Sequence, residues 1–232
     1  MDQKFISIIP ARSGSKGIKK KNLILLGGKP LIQWSMEASL NSGYIAQTIV
    51  SSDSKEIINF TENFNVLLHN RDPFLAQDDT ETYQVIHNVF ETYADLFSKF
   101  KYFILLQPTS PFRSYFHINE ACRRFLDSES DTLVSAKEVQ NSVLKTLFFD
   151  KTNKVSEIRD GFSSMPRQSL PKAMIPNGAI YISKIDYFRS NTSFISNKTL
   201  VYIMDETPSI DIDSYEDLEF AEKQLSLKED IN

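Results

Sequence analysis

Short apolar runs alternate with helical patterns along the first half of the chain. The apolar runs predict strands buried on both faces, at residues 5–9, 48–52, 66–68, 102–106 and 132–136. Between them, apolar residues recur at helical spacing and predict helices at 30–40, 54–64, 82–97 and 116–126. Strands and helices that alternate at this length predict an α/β fold with three layers, a mostly parallel sheet and right-handed crossovers.

A segment at residues 140–176 interrupts this alternation. Its first part, 145–158, has two β-prone pieces around a polar turn and predicts a hairpin. The following stretch, 159–176, has three prolines and no clear period, which predicts an extended arm. Such an excursion fits a lid, a dimer contact or an insertion without function.

The α/β pattern resumes after the excursion. Two strands and an amphipathic helix are predicted at 179–183, 200–204 and 214–227. We therefore predict a single domain made of residues 1–139 and 177–228, with the excursion at 140–176 between its two parts. The last residues, 229–232, are predicted to be a disordered tail.

The composition is that of an ordinary soluble globular protein. Of the 232 residues, 41% are hydrophobic and 24% are charged, which is enough for a core without disulfides. The net charge of −4 argues against a general nucleic-acid binder. No apolar run is long enough to span a membrane, and the N-terminus leads directly into a strand pattern, so a cytoplasmic protein is expected. The single cysteine, Cys122, lies in phase with Ile118 and Phe125 and predicts a buried thiol.

A basic loop follows the first predicted strand. Residues 10–22 read Pro-Ala-Arg-Ser-Gly-Ser-Lys-Gly-Ile-Lys-Lys-Lys-Asn, with five cations among small residues. Backbone N–H groups and cations at the carboxyl end of a strand form a cradle for phosphates, although the Walker A and dinucleotide patterns are both absent. Arg12, Lys16 and Lys21 could neutralise a triphosphate, and Asn22 could bond a ribose or phosphate oxygen. The alternative is a solvated basic loop that binds nothing.

A second polar loop follows the fourth predicted strand. It reads Gln107-Pro-Thr109-Ser110-Pro-Phe-Arg113, so two prolines hold it rigid while polar side chains remain available. It fits a binding loop, and it equally fits a βα turn whose hydroxyls cap the next helix.

Two aspartates lie close together near the C-terminus, in Ser209-Ile-Asp211-Ile-Asp213-Ser214. Alternation in an extended segment places Asp211 and Asp213 on one face, where the two charges repel each other unless a cation lies between them. A hard divalent ion such as Mg²⁺ (or Mn²⁺) suits two carboxylates together with substrate phosphate oxygens. A helix cap at Asp213 or Ser214 is the alternative, and it would explain only one of the aspartates.

A fourth polar group spans the arm and the strand after it. It contains Arg167 and Gln168 on the arm, and Asn177, Gly178 and Tyr181 at the strand. Arg167 could bind a carboxylate with two hydrogen bonds, although a loop arginine is more often simply solvated.

Taken together, these clusters resemble the bacterial CMP-sialic acid synthetases, the N-acylneuraminate cytidylyltransferases, including the CMP-legionaminate-type synthetases. The resemblance covers almost the whole chain and rests on blocks in the same order: 9–17 with Lys21 and Asn22, 106–111, 144–146, 166–168, 177–182 and 209–213. It implies a Rossmann-like nucleotidyltransferase sheet. It also implies that CTP reacts with a sialic-type nonulosonic acid to give a CMP-sugar and pyrophosphate.

The same resemblance implies roles for individual residues. The nucleotide would be bound by Ala11, Arg12, Ser15, Lys16, Asn22, Arg71, Asp78 and Thr80. The sugar acid would be bound by Gln107, Thr109, Ser110, Lys145, Arg167, Gln168, Asn177, Tyr181 and Phe194. Catalysis would depend on Arg12, Lys16, Lys21 and Asp211, and Asp211 and Asp213 would hold Mg²⁺ (or Mn²⁺).

The resemblance further implies a homodimer formed through the 140–176 excursion, with some sugar-binding residues reaching across it. Residues 140–143 and Ser193 depart from the family pattern, which leaves the sugar acid open among N-acetylneuraminate, legionaminate, pseudaminate and Kdo. A non-catalytic nucleotide-sugar sensor on the same fold is the alternative from another class.

Overall fold

The computed structural model describes residues 4–229. Its strands are β1 (Phe5–Pro10), β2 (Leu25–Leu26), β3 (Lys29–Pro30), β4 (Ile45–Ser52), β5 (Leu67–Asn70), β6 (Tyr102–Leu105), β7 (Thr132–Val139), β8 (Leu147–Phe149), β9 (Val155–Glu157), β10 (Ala173–Lys184) and β11 (Thr199–Ile203). The helices are α1 (Leu31–Leu40), α2 (Lys55–Thr61), α3 (Thr82–Thr92), α4 (Ala94–Phe97), α5 (Tyr115–Leu126), α6 (Ile185–Asn191) and α7 (Tyr215–Glu229). The tail predicted at 229–232 lies outside the described residues, except for Glu229 at the end of α7.

Seven strands form one sheet in the order β11-β7-β10-β6-β1-β4-β5. Strand β10 runs antiparallel to both of its neighbours, and the other pairs are parallel. The mostly parallel sheet predicted from the sequence is therefore confirmed.

Apolar side chains cover both faces of the sheet. On one face, residues of α1, α2 and α5 pack against the strands, and on the other face residues of α3, α4 and α6 do so. This arrangement confirms the three layers. Cys122 of α5 is fully buried in the first of these layers, where burial raises the pKa of its thiol, so the predicted structural role is confirmed.

One predicted helix differs from the structure, and one observed helix was not predicted. The helix predicted at 82–97 is broken at Tyr93, which has φ −113° and ψ 37°. The hydroxyl of Tyr93 donates a hydrogen bond of 2.7 Å to the carbonyl of Leu68 in β5, a tertiary contact that holds the break. Helix α6 was not predicted, because its seven residues are too few for a clear period.

The hairpin predicted at 145–158 is confirmed as β8 paired with β9. The arm after it is shorter than predicted, because β10 begins at Ala173 and pairs there with Val139 at the end of β7. A register irregularity between Pro176 and Tyr181, with Gly178 at φ +76°, separates this first part of β10 from the run predicted at 179–183. The first part of β10 was not predicted because the bulge interrupts the alternation of side chains along the strand.

The polar loops meet at one edge of the sheet. Parallel strands β1, β4, β5 and β6 all end there, and the bulge of β10 lies beyond Leu105 at the same edge, because Tyr181 pairs with Leu105. The segment before α7 joins them through a hydrogen bond of 2.9 Å from the Ile212 N–H to the Thr109 carbonyl. This is the edge at which open α/β sheets bind their ligands. Across residues 4–229, none of the helices has the length and apolar character needed to cross a membrane.

Candidate functional site

A cavity of about 620 Å³ opens at this edge of the sheet. We call it the phosphate cavity, because the basic loop forms one of its walls. It brings together most of the residues predicted for the nucleotide, for catalysis and for the metal: Arg12, Ser15, Lys16, Lys21, Asn22, Arg71, Asp78, Thr80, Asp211 and Asp213. Two residues predicted for the sugar acid, Gln107 and Thr109, also line it.

The basic loop is held in shape by its own polar groups. The carboxylate of Asp53 accepts hydrogen bonds from the backbone N–H and the hydroxyl of Ser13. The amide of Asn22 donates a 2.8 Å hydrogen bond to the Arg12 carbonyl and is 7% exposed, so Asn22 closes the loop besides lining the cavity. Ser15 donates its hydroxyl to the carbonyl of Ile18.

Three cations of the loop are paired with carboxylates across the cavity. Arg12 lies 2.9 Å and Lys16 3.7 Å from carboxylate oxygens of Asp78, and Lys21 lies 2.6 Å from Asp213. Asp78 and Asp213 are more than half exposed, so these pairs contribute little to stability. A bound polyphosphate could therefore replace these carboxylates as the partner of the cations with little loss of folding stability.

The two aspartates have different surroundings. The Oδ1 atom of Asp211 is buried and has no hydrogen-bond partner among the described residues. Burial raises the pKa of the Asp211 carboxyl, a hydrogen bond from Thr109 opposes the shift, and the charge of Asp213 adds to it. Asp213 is exposed and paired with Lys21.

Capping does not explain these aspartates. The carboxylate of Asp217 accepts hydrogen bonds from the N–H groups of Asp213 and Ser214, and the Ser214 hydroxyl accepts one from the Asp217 N–H. The start of α7 is thus capped by Ser214 and Asp217, while the side chains of Asp211 and Asp213 face the cavity. An unpaired buried carboxylate oxygen beside a second carboxylate fits a hard cation that takes its other ligands from phosphate and water. Within residues 4–229, no three His, Cys, Asp or Glu side chains form a metal cluster.

Gly17 brings the basic loop against the aspartate segment. A Cβ atom at Gly17 would lie 2.1 Å from the backbone oxygen of Asp213, a distance that no side chain can occupy. Glycine at this position therefore sets how closely the basic loop approaches the segment that carries Asp211 and Asp213.

A second cavity of about 830 Å³ adjoins the first, and Gln107 and Asp211 line both of them. We call it the sugar cavity, because residues predicted to bind the sugar acid line it. Gly178 lies where the two cavities meet, since a Cβ there would be 2.7 Å from Gln107 Oε1 and 3.7 Å from both Asp211 Oδ2 and Ser110 Oγ. Asn177 and Tyr181 line this second cavity, as predicted for a sugar site.

Asn177 is held by a buried network rather than left free. Its Oδ1 accepts hydrogen bonds from the Ser135 hydroxyl (2.5 Å) and the Ala179 N–H (3.2 Å), and its Nδ2 donates to Ser209 Oγ at 2.8 Å. The network fixes the bulge of β10 against β7 and against the turn before Asp211.

Six predicted residues lie outside both cavities. Ala11 is fully buried, and Ser110, also fully buried, has a hydroxyl without a hydrogen-bond partner among the described residues. Phe194 packs against Tyr181 and Phe188, with ring centroids 5.1 Å and 4.8 Å away, behind the sheet. The other three lie on the excursion: Lys145, Arg167 and Gln168.

Sequence reasoning missed Lys137 of β7. Among the described residues that line the sugar cavity it is the only one with a positive charge, against Glu138, Glu206, Asp211 and Asp217. The strand was predicted to end at Ala136, whereas β7 continues to Val139. A longer predicted strand would have placed Lys137 beside the cavity.

The chain is similar to known cytidylyltransferases. The model of the cytidylyltransferase family matches residues 6–230. The chain is 34% identical over 224 residues to the N-acylneuraminate cytidylyltransferase of Escherichia coli, covering 95% of this chain and 52% of that protein. It is 30% identical to the CMP-N,N'-diacetyllegionaminic acid synthase of Campylobacter jejuni (95% and 94% covered) and 29% identical to the pseudaminic acid cytidylyltransferase of the same species (94% of each). The chain thus spans about half the length of the Escherichia coli relative and nearly all of the Campylobacter relatives.

Solved structures share the fold. A CMP:2-keto-3-deoxy-manno-octonic acid synthetase complexed with CTP superposes with a TM-score of 0.71 at 15% identity, covering 97% of this chain and 99% of that one. The 4-diphosphocytidyl-2C-methyl-D-erythritol synthase of Anaerococcus prevotii superposes with a TM-score of 0.65 at 16% identity, covering 97% and 100%.

Proposed function

The chain belongs to the cytidylyltransferase family, and we propose that it transfers CMP from CTP to a nonulosonic acid of the sialic type. The observation that carries this proposal is the pair of adjoining cavities, which share Gln107 and Asp211. A cation-lined cavity for a triphosphate and a polar cavity for a sugar acid meet where the new bond would form.

The reaction is a displacement at the α-phosphorus of CTP. The anomeric hydroxyl of the sugar acid gives up its proton to a carboxylate or to water, and its oxygen attacks that phosphorus. The bond from the α-phosphorus to the oxygen shared with the β-phosphate breaks, and pyrophosphate leaves. The protein positions the two reactants and stabilises the charge that develops. Arg12, Lys16 and Lys21 line the phosphate cavity and would neutralise the leaving pyrophosphate.

Asp211 and Asp213 would hold Mg²⁺ (or Mn²⁺). When bound, such an ion polarises phosphate oxygens and lowers the pKa of a nearby hydroxyl. The buried, unpaired Oδ1 atom of Asp211 supports this assignment, because an ionised oxygen without a partner is costly inside a protein.

The sugar acid carries a carboxylate, which needs a cation. Lys137 is the positively charged group that lines the sugar cavity within this chain, and no carboxylate pairs with it among the described residues. Lys145, Arg167 and Gln168 would reach the sugar cavity of a second copy if the excursion forms a homodimer.

The proposal is tested by the release of pyrophosphate from purified protein with Mg²⁺ and CTP. The sugar acids to compare are N-acetylneuraminate, legionaminate, pseudaminate and Kdo, with ATP, GTP and UTP as nucleotide controls. We expect release with CTP and one nonulosonic acid, which would also identify the substrate. Binding of CTP without release across the panel would contradict catalysis and favour a nucleotide-sugar sensor. A cytoplasmic location and a role in surface polysaccharide synthesis stay predictions.

A further inference from the structure

Ser51, near the end of β4, is hydrogen-bonded to three residues of two neighbouring segments: Ala11 of the basic loop, and His69 and Arg71 at the end of β5. Its carbonyl accepts hydrogen bonds from the Ala11 N–H (2.9 Å) at the start of the basic loop and from Nη2 of Arg71 (2.8 Å). Its hydroxyl oxygen lies 3.1 Å from Nε of Arg71 and 2.8 Å from Nδ1 of His69. Ser51 and His69 are direct partners in the parallel pairing of β4 with β5, so the backbone fixes this arrangement.

The chemistry of these groups is consistent with one arrangement of the protons. Arginine has no acceptor, so Nε–H of Arg71 donates to the Ser51 oxygen. The Ser51 hydroxyl proton can then be donated to Nδ1 of His69, which requires a neutral imidazole with its proton on Nε2. Burial lowers the pKa of His69, the charge of Arg71 lowers it further, and a hydrogen bond with Asn88 of α3 opposes the shift. The neutral form required by the hydrogen bonds is thus also the form that the surroundings favour.

Arg71 is an unusual cation for a surface cavity, since it is only 4% exposed. Two of its three nitrogens are used by Ser51, and Nη1 has no partner among the described residues. Burial lowers the pKa of Arg71 to about 10, the nearby carboxylate of Asp53 opposes this shift, and the guanidinium keeps its charge at neutral pH. It lines the phosphate cavity, and Arg12, which lines the same cavity, is near enough to affect its pKa. One nitrogen of a rigidly held cation is thus left for an anion in the cavity.

We propose that Ser51 and His69 are positioning residues for Arg71, which they fix so that its free nitrogen meets the bound nucleotide. This inference rests on the proposed function, because it takes the anion to be CTP. Without the Ser51 hydroxyl, the guanidinium loses the bond at Nε and can rotate about its side chain. Without an acceptor at position 69, the hydroxyl loses the partner that orients its proton.

Calorimetric titration with CTP tests the proposal. Ser51→Ala is expected to weaken CTP binding by about tenfold or more, the scale of a hydrogen bond to a charged group. Ser7→Ala is the matched control, because Ser7 is also a fully buried strand serine and, among residues 4–229, its hydroxyl is hydrogen-bonded only to that of Ser39, at 2.7 Å. Its affinity for CTP is expected to stay within about twofold of the wild type.

A double-mutant cycle separates positioning from general damage to the fold. In an Arg71→Met background, Ser51→Ala is expected to cause no further loss of CTP affinity, because it acts through Arg71. His69→Asn keeps an acceptor near the Nδ1 position and is expected to bind CTP nearly as the wild type does. His69→Phe keeps a ring but loses the acceptor, and it is expected to bind CTP more weakly than His69→Asn. Melting temperatures of all variants report whether they fold. If Ser51→Ala does not fold, the comparison of His69→Asn with His69→Phe tests the positioning role.

Two results would overturn the inference while leaving the proposed function intact. One is a loss in Ser51→Ala that is fully additive with Arg71→Met, and the other is equal CTP affinity in His69→Phe and His69→Asn. A wild-type protein that binds no CTP in the presence of Mg²⁺ would instead remove the proposed function, and this inference with it.

Discussion

At the scale of single residues, Asp211 is a side chain whose burial opposes the stability of the folded protein. Its carboxyl is buried, one oxygen has no partner among the described residues, and both burial and the neighbouring Asp213 raise its pKa. Such a group destabilises the free protein when it is ionised, and it is retained where a ligand needs it.

We expect Asp211→Asn to separate activity from stability. Turnover should fall by at least about a hundredfold, as when a major electrostatic stabiliser is lost, while the melting temperature does not fall. Pyrophosphate release and thermal unfolding measure the two effects. Asp213→Asn should lower turnover to a similar extent and change stability by less than about 1 kcal/mol, because its pair with Lys21 is exposed. Near-normal turnover in both variants would exclude the metal assignment.

His69 makes folding stability depend on pH. The pKa of the folded state lies below the value of 6.5 for an ordinary histidine, so between these values the unfolded chain binds more protons than the folded chain. Stability should therefore fall as the pH drops below about 6.5, and His69→Asn should reduce this dependence. Urea unfolding at about pH 7 and about pH 5.5 measures it. The carboxyls of Glu37 and Asp217, whose pKa values are lowered, titrate below this window. The same slope in wild type and variant would show that His69 is not the group responsible.

At the scale of elements, the basic loop and the aspartate segment before α7 act together because they touch at Gly17. Gly17→Ala would place a methyl group against the backbone oxygen of Asp213, so one of the two segments has to move. We expect a melting temperature several degrees lower, corresponding to roughly 1–3 kcal/mol of strain, and loss of pyrophosphate release.

Gly14→Ala is the matched stability control for this change. It lies in the same loop, and a Cβ there would meet no atom within 4 Å. Its melting temperature should equal that of the wild type. An equal drop in both variants would mean that the loop tolerates no side chain at all, and that the contact with Asp213 is not the cause.

At the scale of the whole molecule, the excursion leaves apolar side chains in solvent. Leu147, Phe148 and Phe149 of β8 are 41%, 52% and 66% exposed, and Val155 of β9 is 53% exposed. An isolated two-stranded hairpin is marginal in water, and an exposed apolar patch marks a surface for a partner. Both facts agree with the homodimer that the resemblance implies.

We expect the wild-type protein to sediment as a dimer, and the double variant Phe148→Ser, Phe149→Ser to sediment as a monomer with a weaker affinity for the sugar acid. Analytical ultracentrifugation and the KM for the sugar acid measure the two effects. The exchange of Phe116, an exposed apolar residue of α5, for Ser is the control and should change neither. A wild-type monomer with full activity would contradict the dimer.

The sequence predicted the sheet well because the buried strands are short apolar runs with turn signals on both sides. It predicted the hairpin of β8 and β9 for the same reason, from a polar turn between β-prone pieces. The prediction failed at Tyr93. The apolar pattern continues through this residue, but the helix ends there, where the Tyr93 hydroxyl is hydrogen-bonded to β5. The prediction also failed at residues 173–176, where a bulge at Gly178 hides a strand.

The candidate site was predicted in part. Three cations of the basic loop (Arg12, Lys16 and Lys21), the aspartate pair, Gln107, Asn177 and Tyr181 were found from local patterns, and all of them line the two cavities. Lys137, Ser51 and His69 were not assigned roles, since each lies in a strand whose pattern reports burial and not what a side chain meets across the sheet.

The sequence by itself determined the class of fold, the order of most of its elements and the charged and polar residue types that line the phosphate cavity. These are consequences of local periodicity, turn chemistry and charge, which neighbouring residues in the chain carry. Only the tertiary structure decided that Asp211 and Gln107 line both cavities, that Gly17 lies against Asp213, and that the Ser51 hydroxyl is hydrogen-bonded to both Arg71 and His69. Those contacts join segments far apart in the chain, and their geometry follows from strand order and register.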